Sequence, residues 1–314
     1  MRHRLTKGSA PVSLSSKLLM LSLMMLVPMA SPVRGDDLQV LDDEFSVPSS
    51  LSNWSRVHAV EGWNANQMEV LDIGTSTTGH ATLIPYTSTW FQNFRGELTF
   101  KNVTGDFVAS TRVRATNRAR NAAPSRAYSL AGILARTPRA ITPATWAPGG
   151  ENYVFLSLGA ANTPGSFQYE VKTTINSVST LQIQSAPTSV TQIQVARIGQ
   201  NFIMLRRPEG ATTWSVHARY FRTDMPATLQ VGMTVYTDWD TVSGMDPFVH
   251  NSSVLTTGFP DLRAEFDWFR FRRPVVPGPL VGVNLTNPAV TDAILLSFLG
   301  DVAVPVNLSG FEAE

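Results

Sequence analysis

The sequence contains no cysteine. That excludes disulfides, thiolate metal sites and a cysteine nucleophile. Histidine is scarce, with five residues in 314, and His58, His80, His217 and His250 fall at no metal-ligand spacing. Charge is sparse too: 16% of residues are charged, and 25 basic against 24 acidic residues leave a formal net charge of +1. Such a balance gives no sequence-wide attraction to nucleic acid or to an anionic membrane. Neither a Gly-x-Ser-x-Gly element nor a phosphate-binding glycine loop occurs, so the corresponding hydrolase and nucleotide signatures are missing.

Long apolar runs are lacking with one exception. Residues 18–30 are apolar in the main and follow Arg2, His3, Arg4, Lys7 and Lys17, with no acidic residue before Asp36. A basic segment before about a dozen apolar residues is the pattern of a secretory signal peptide, here residues 1–35, with Val33 and Gly35 as the small positions before a cut. The run falls short of the roughly 20 residues of a membrane span, so contact with a membrane is expected through this segment alone, if it stays uncleaved. Export without disulfides leans toward a bacterial protein that is secreted, periplasmic or on the cell surface.

What is present is 43% hydrophobic residues, enough for a large core, arranged mostly with a period of two. In residues 106–116, Phe107, Ala109, Thr111, Val113 and Ala115 alternate with Val108, Ser110, Arg112 and Arg114. Alternation places the two sets on opposite faces of a strand. Similar runs at 68–73, 129–136, 152–158, 166–175, 190–198, 201–207, 212–220, 229–237 and 263–272 predict an all-β antiparallel sandwich over residues 36–273. Gly199-Gln200 reads as a tight hairpin turn.

Pro274, Pro277, Gly278 and Pro279 then mark a linker that opens a C-terminal appendix, residues 274–314. The appendix holds one predicted helix, capped by Asn287, with Pro288 in its first turn and Gly300 at its stop. Its stripe of Val290, Ile294, Leu295, Phe298 and Leu299 either folds back onto the sandwich or docks on a cell-envelope partner.

Five stretches, in order, resemble the concanavalin A-like lectin/glucanase superfamily, in particular its exported jelly-roll modules of the laminin-G and β-xylosidase C-terminal kind. They are Asp42-Asp43-Glu44-Phe45 with Leu51 and Trp54, Gly132-Ile133-Leu134-Ala135-Arg136, Trp214, Val231-Gly232-Met233 and Phe266-Asp267-Trp268-Phe269-Arg270-Phe271. The resemblance covers about residues 38–273. It implies a concanavalin A-like jelly roll that binds carbohydrate without chemistry, through loop aromatics and a concave sheet face. Among seven tryptophans, Trp63, Trp90, Trp146 and Trp239 read as loop-borne, and Trp54, Trp214 and Trp268 as core. The expected ligand-binding set is Trp90, Arg136, Trp146, Asn152, Asp238 and Trp239. The resemblance also implies a structural Ca²⁺, for which Asp43, Glu44 and Asp267 are candidates if the first and last strands meet.

A hydrolase or lyase is the rival. Laminarinase-type members carry three carboxylates on one strand, whereas Glu265-Phe266-Asp267-Trp268-Phe269-Arg270 has Arg270 in the third place. A retaining glycosidase needs two carboxyl groups flanking one bond. Asp267 paired to an arginine is the alternative. The five arginines between 112 and 126 read either as a polyanion groove or as a solvated face.

Overall fold

The alternating segments fold as strands, and the strands form two layers. The structure, a computed structural model, describes residues 36–301, so the expected signal peptide and residues 302–314 lie outside the described part. Its strands are β1 (Ser55–Arg56), β2 (Met68–Ile73), β3 (Ala81–Pro85), β4 (Glu97–Thr104), β5 (Phe107–Thr116), β6 (Ser129–Arg136) and β7 (Tyr153–Ala160). They continue as β8 (Gln168–Ile175), β9 (Val178–Ser185), β10 (Val190–Ile198), β11 (Asn201–Pro208), β12 (Ser215–Phe221), β13 (Thr228–Tyr236) and β14 (Arg263–Arg272). Sheet I has the order β1-β4-β13-β6-β7-β8-β9 and sheet II the order β12-β11-β10-β5-β14-β3-β2. Every pairing is antiparallel. This is the jelly-roll sandwich that the resemblance implies.

One set of alternating side chains from each sheet meets in the middle. Ile133, Leu156, Val171 and Met233 from sheet I face Phe107, Val113, Ile193 and Phe269 from sheet II, all fully buried. Burying such a side chain contributes about 1.5–3 kcal/mol relative to leaving it in water. Trp54 joins this core by donating from Nε1 to Asp43 Oδ2 at 2.9 Å, which gives its indole N–H a partner away from water. Gly132 and Gly232 are required by close strand packing. A Cβ would lie 2.1 Å from the Leu156 carbonyl oxygen at the first and 2.0 Å from that of Thr99 at the second.

The other faces are covered as well. On sheet II, Leu285, Val290, Leu295, Phe298 and Leu299 bury Val108, Ala196, Ile203, Leu205 and Trp214. The C-terminal segment thus folds back onto the sandwich, as one of the two readings had it. Its helix is shorter than expected, spanning Asp292–Leu299, with Gly300 at its end. The cap is Thr291, whose hydroxyl accepts from Ile294 N at 3.3 Å, and not Asn287. Asn287 Oδ1 instead accepts from Ala289 N at 2.9 Å, closing a local turn that precedes the helix.

Three short helices sit in loops: α1 (Val57–Val60), α2 (Trp239–Val242) and α3 (Pro247–Ser252), and the C-terminal one is α4 (Asp292–Leu299). Together with residues near Trp90 and Tyr128, α1 covers the outer face of sheet I.

Candidate functional site

The outer face of sheet I is set by strand register. Thr234, Gly132, Ser157, Glu170 and Ile183 lie side by side across five strands, and Gly232, Leu134, Phe155, Lys172 and Leu181 form the next row. Small residues in the middle of the first row leave room above the sheet. Over these rows opens a cleft of about 140 Å³ lined by Thr89, Phe91, Tyr128, Lys172, Leu181 and Trp239. Trp239 meets Phe91 edge-on at 5.4 Å between ring centroids and Tyr128 at 6.2 Å.

Beneath the rings lies an ion pair. Lys172 Nζ is 2.9 Å from Glu170 Oε1 and donates to the Trp90 carbonyl at 2.6 Å. The ammonium also faces Phe155 at 4.7 Å, Phe91 at 5.4 Å and Tyr236 at 5.5 Å, a set of cation–π contacts. Both members are buried. Burial pushes the Glu170 carboxyl up and Lys172 opposes it; burial pushes Lys172 down and Glu170 opposes it. The buried Tyr153 hydroxyl faces Thr174 and Ser179, and the buried Tyr236 hydroxyl faces Ser157 and Glu170.

The six expected ligand-binding residues do not converge. Trp239 is half-buried and walls the cleft. Trp90, Arg136 and Asp238 are each 0% exposed, which corrects their reading as surface contacts. Trp90 Nε1 donates to the Glu97 carbonyl at 3.0 Å, and its ring packs on Tyr153, so it is a plug under its own loop. Asp238 sits in a left-handed turn at φ 68° and accepts from Thr87 Oγ1, Thr241 Oγ1, Phe259 N and Arg126. Its work is to hold the turn that presents Trp239. Trp146 is half-buried elsewhere, against Trp63 and Phe248. Asn152 accepts from Asn176 N at 2.7 Å and ties the β8–β9 turn.

Arg136 belongs to a buried ion cluster. It grips Glu151 with Nε at 2.8 Å and Nη2 at 3.0 Å, and donates from Nη1 to Glu61 at 2.8 Å and Gln230 at 2.9 Å. Arg139 adds a bond to Glu151 at 2.6 Å, and Arg95 pairs with Glu61. Burial pushes the Glu151 carboxyl up, but the guanidinium charges of Arg136, Arg95 and Arg139 outweigh it and hold the group down at about 2. Arg95 is pushed down to about 9 by burial, with Arg136 adding repulsion.

The carboxylates considered for chemistry or metal are spent on other partners. Glu265 is bound by Arg263, Arg120 and Thr77. Asp267 is bound by Arg112 and by His80 Nε2. Both lie on β14 in sheet II, away from the cleft over sheet I. The first and last segments do meet, through backbone bonds between Asp43 and Phe269. Yet Asp43 accepts from Phe45 N, Ser50 and Trp54, and Glu44 pairs with Arg270. Asp43, Glu44 and Asp267 therefore do not fit a Ca²⁺ cage, and among the described residues no group of three or more His, Asp or Glu is placed to hold a metal. Of the five arginines, Arg112, Arg118, Arg120 and Arg126 are each ion-paired, and Arg114 alone has no acid within ion-pair distance among the described residues, so the stretch does not form a row of free charges.

Sequence reasoning picked out the stretch 86–93 that holds Phe91 but left Phe91 out of the expected set, and it missed Tyr128, Lys172 and Leu181. Phe91 stands next to a tryptophan that the loop composition did pick out. Lys172 carried a signal in principle, being a charged residue on the strand face shared with Glu170.

No family model matches the chain, and no curated protein matches it. Among solved structures it is similar to a functionally unknown protein from Saccharomyces cerevisiae, with 13% identity and a TM-score of 0.49 over 72% of this chain and 99% of that one. It is also similar to a legume lectin-like domain from Entamoeba histolytica, with 5% identity and a TM-score of 0.45 over 76% and 99%. A xylan β-1,4-xylosidase from Bacillus halodurans is similar at 12% identity and a TM-score of 0.46, over 77% of this chain and 40% of the xylosidase.

Proposed function

We propose that the protein is an exported carbohydrate-binding module whose site is the cleft between Phe91, Tyr128 and Trp239. The observation that carries this reading is three aromatic rings around a cleft with a cation at its floor. A sugar ring offers an apolar C–H face for stacking and a girdle of hydroxyls for hydrogen bonds. At about 140 Å³ the cleft suits one sugar unit more than a chain, since sites for larger ligands run to roughly 300–1,000 Å³. The ring edges of Trp239 are fixed by the turn at Asp238, so little ordering is left to be done on binding.

The test is a glycan-array screen followed by calorimetry on the one glycan class that binds. Trp239→Ala is expected to lower affinity at least tenfold in protein that remains folded, with a lowered melting temperature from the lost packing on Phe91 and Tyr128. A variant that binds like the parent, or a parent that binds no glycan, refutes the reading. Export is checked separately by the N-terminal sequence of the mature protein, which is expected to begin near Asp36.

A further inference from the structure

A second opening lies on the other side of the molecule, on the outer face of sheet II. Ser110 on β5 stands between Gln194 on β10 and Arg270 on β14, and one row along Arg112 stands between Gln192 and Trp268. The small side chain of Ser110 makes a floor, and the long ones make walls. The end of α4 closes one end, so that the whole is a trough of about 450 Å³, within the range of small-ligand sites.

The polar groups in the trough are partly unspent. Gln192 Oε1 is taken by Arg207 at 2.7 Å, which leaves its amide N–H₂. Gln194 Nε2 donates to the Leu299 carbonyl at 3.0 Å, which leaves its oxygen. The Trp268 indole is half-buried, with the Arg270 guanidinium 4.6 Å from its ring centroid. Arg270 and Arg207 have their own acids, Glu44 and Asp301. Arg272 differs: its one side-chain hydrogen bond among the described residues goes from Nη2 to the Leu299 carbonyl at 3.1 Å, and no carboxylate lies within ion-pair distance, although Asp36, which also lines the trough, acts on its charge from farther away. A half-buried guanidinium with no carboxylate in contact keeps its planar fork of donors free for an anion.

We propose that this trough is a second carbohydrate site, selective for sugars that carry a carboxylate or sulfate. The anion meets Arg272, the sugar's C–H face meets Trp268, and hydroxyls meet Gln192, Gln194 and Ser110. The site does not depend on the cleft at Trp239, and it was not visible in the sequence, where Trp268 read as core.

The test is calorimetry on the full chain with oligogalacturonate, a sulfated oligosaccharide of similar length, neutral xylohexaose and polyglutamate as a charge control. At least one of the two anionic sugars is expected to bind. Arg272→Gln and Trp268→Ala are each expected to lower that affinity at least tenfold, and Arg272→Lys by a smaller factor, because the ammonium keeps charge but loses the planar fork. Trp239→Ala should leave it unchanged, which separates this site from the cleft. Should Arg272→Gln fail to fold, Arg272→Lys and Trp268→Ala carry the test. No binding of either anionic sugar, equal binding of polyglutamate, or anionic-sugar affinity that survives these substitutions would overturn the proposal.

Discussion

Replacing Glu151 by Gln should be among the most damaging single changes in this fold. The substitution keeps the shape and removes one charge from a cluster that is buried at Arg136, Arg95, Glu61 and Glu151. Arg136, 0% exposed, would then share Glu61 with Arg95, and its bidentate partner would be neutral. Removing one member of a buried pair typically costs about 3–5 kcal/mol, because the surviving charge is left uncompensated. The pKa gives an independent figure. A carboxyl held at about 2, against 4.5 without the fold, corresponds to about 3 kcal/mol at pH 7.

The sign follows from linkage. The folded-state value is depressed, so the contribution is complete above the unfolded value and fades as pH falls through 4.5 toward 2. The difference between parent and Glu151→Gln should therefore be about 3 kcal/mol at pH 7 and about half that at pH 3. Urea unfolding at both pH values reads it, as a midpoint shift of about 1 M if the slope is ~3 kcal/mol/M. A cost under about 1 kcal/mol at pH 7, or one that grows as pH falls, would refute the account.

Two further outcomes are expected. Leu295→Ala should cost about 2–5 kcal/mol by opening a cavity between α4 and sheet II, and denaturant unfolding should show it; a near-neutral result would mean that α4 rests loosely on the sheet. Lys172→Met should strand Glu170, whose carboxyl is already pushed up by burial. A raised folded-state pKa is stabilising at low pH and loses that effect as pH rises, so this variant should be near the parent at pH 5 and weaker by several-fold in its folding constant at pH 8. Equal stability at the two pH values would contradict it.

Most strands were legible in the sequence as apolar or alternating runs between turn residues, and β3, β4 and β9 were missed. Arg263–Arg272 and Val190–Ile198 were found at their observed bounds. The turn at Gly199 was found too, with φ at 57° where glycine is free of strain. β3 escaped because Ala81–Pro85 is buried on both sides and has no polar phase to read. β4 escaped because Glu97, Thr99 and Lys101 occupy one face while remaining buried, so polarity does not mark the solvent side. β9 is the edge of sheet I, mostly exposed, and its Leu181 and Ile183 are too few to stand out.

The site was hard to read because loop composition does not say which way a ring points. Trp90 and Trp239 have the same signature, an aromatic flanked by Thr, Ser or Asp between two strands. What separates them is tertiary. Gly96 lies so close to the Trp90 ring that a Cβ there would meet Cδ1 at 2.9 Å, which fixes Trp90 inward against the sheet. Asp238, bonded on both oxygens, lifts the next residue over the cleft instead. Charge misleads in the same way. Arg136 looked available on a strand end but is consumed by Glu151 and Glu61, whereas Arg272, in a run of three basic residues among four, is the trough arginine with no ion-paired acid among the described residues. Loop tryptophans and arginines are therefore informative about binding only after their hydrogen bonds and ion pairs have been assigned, since a spent group and an unspent one are the same letter.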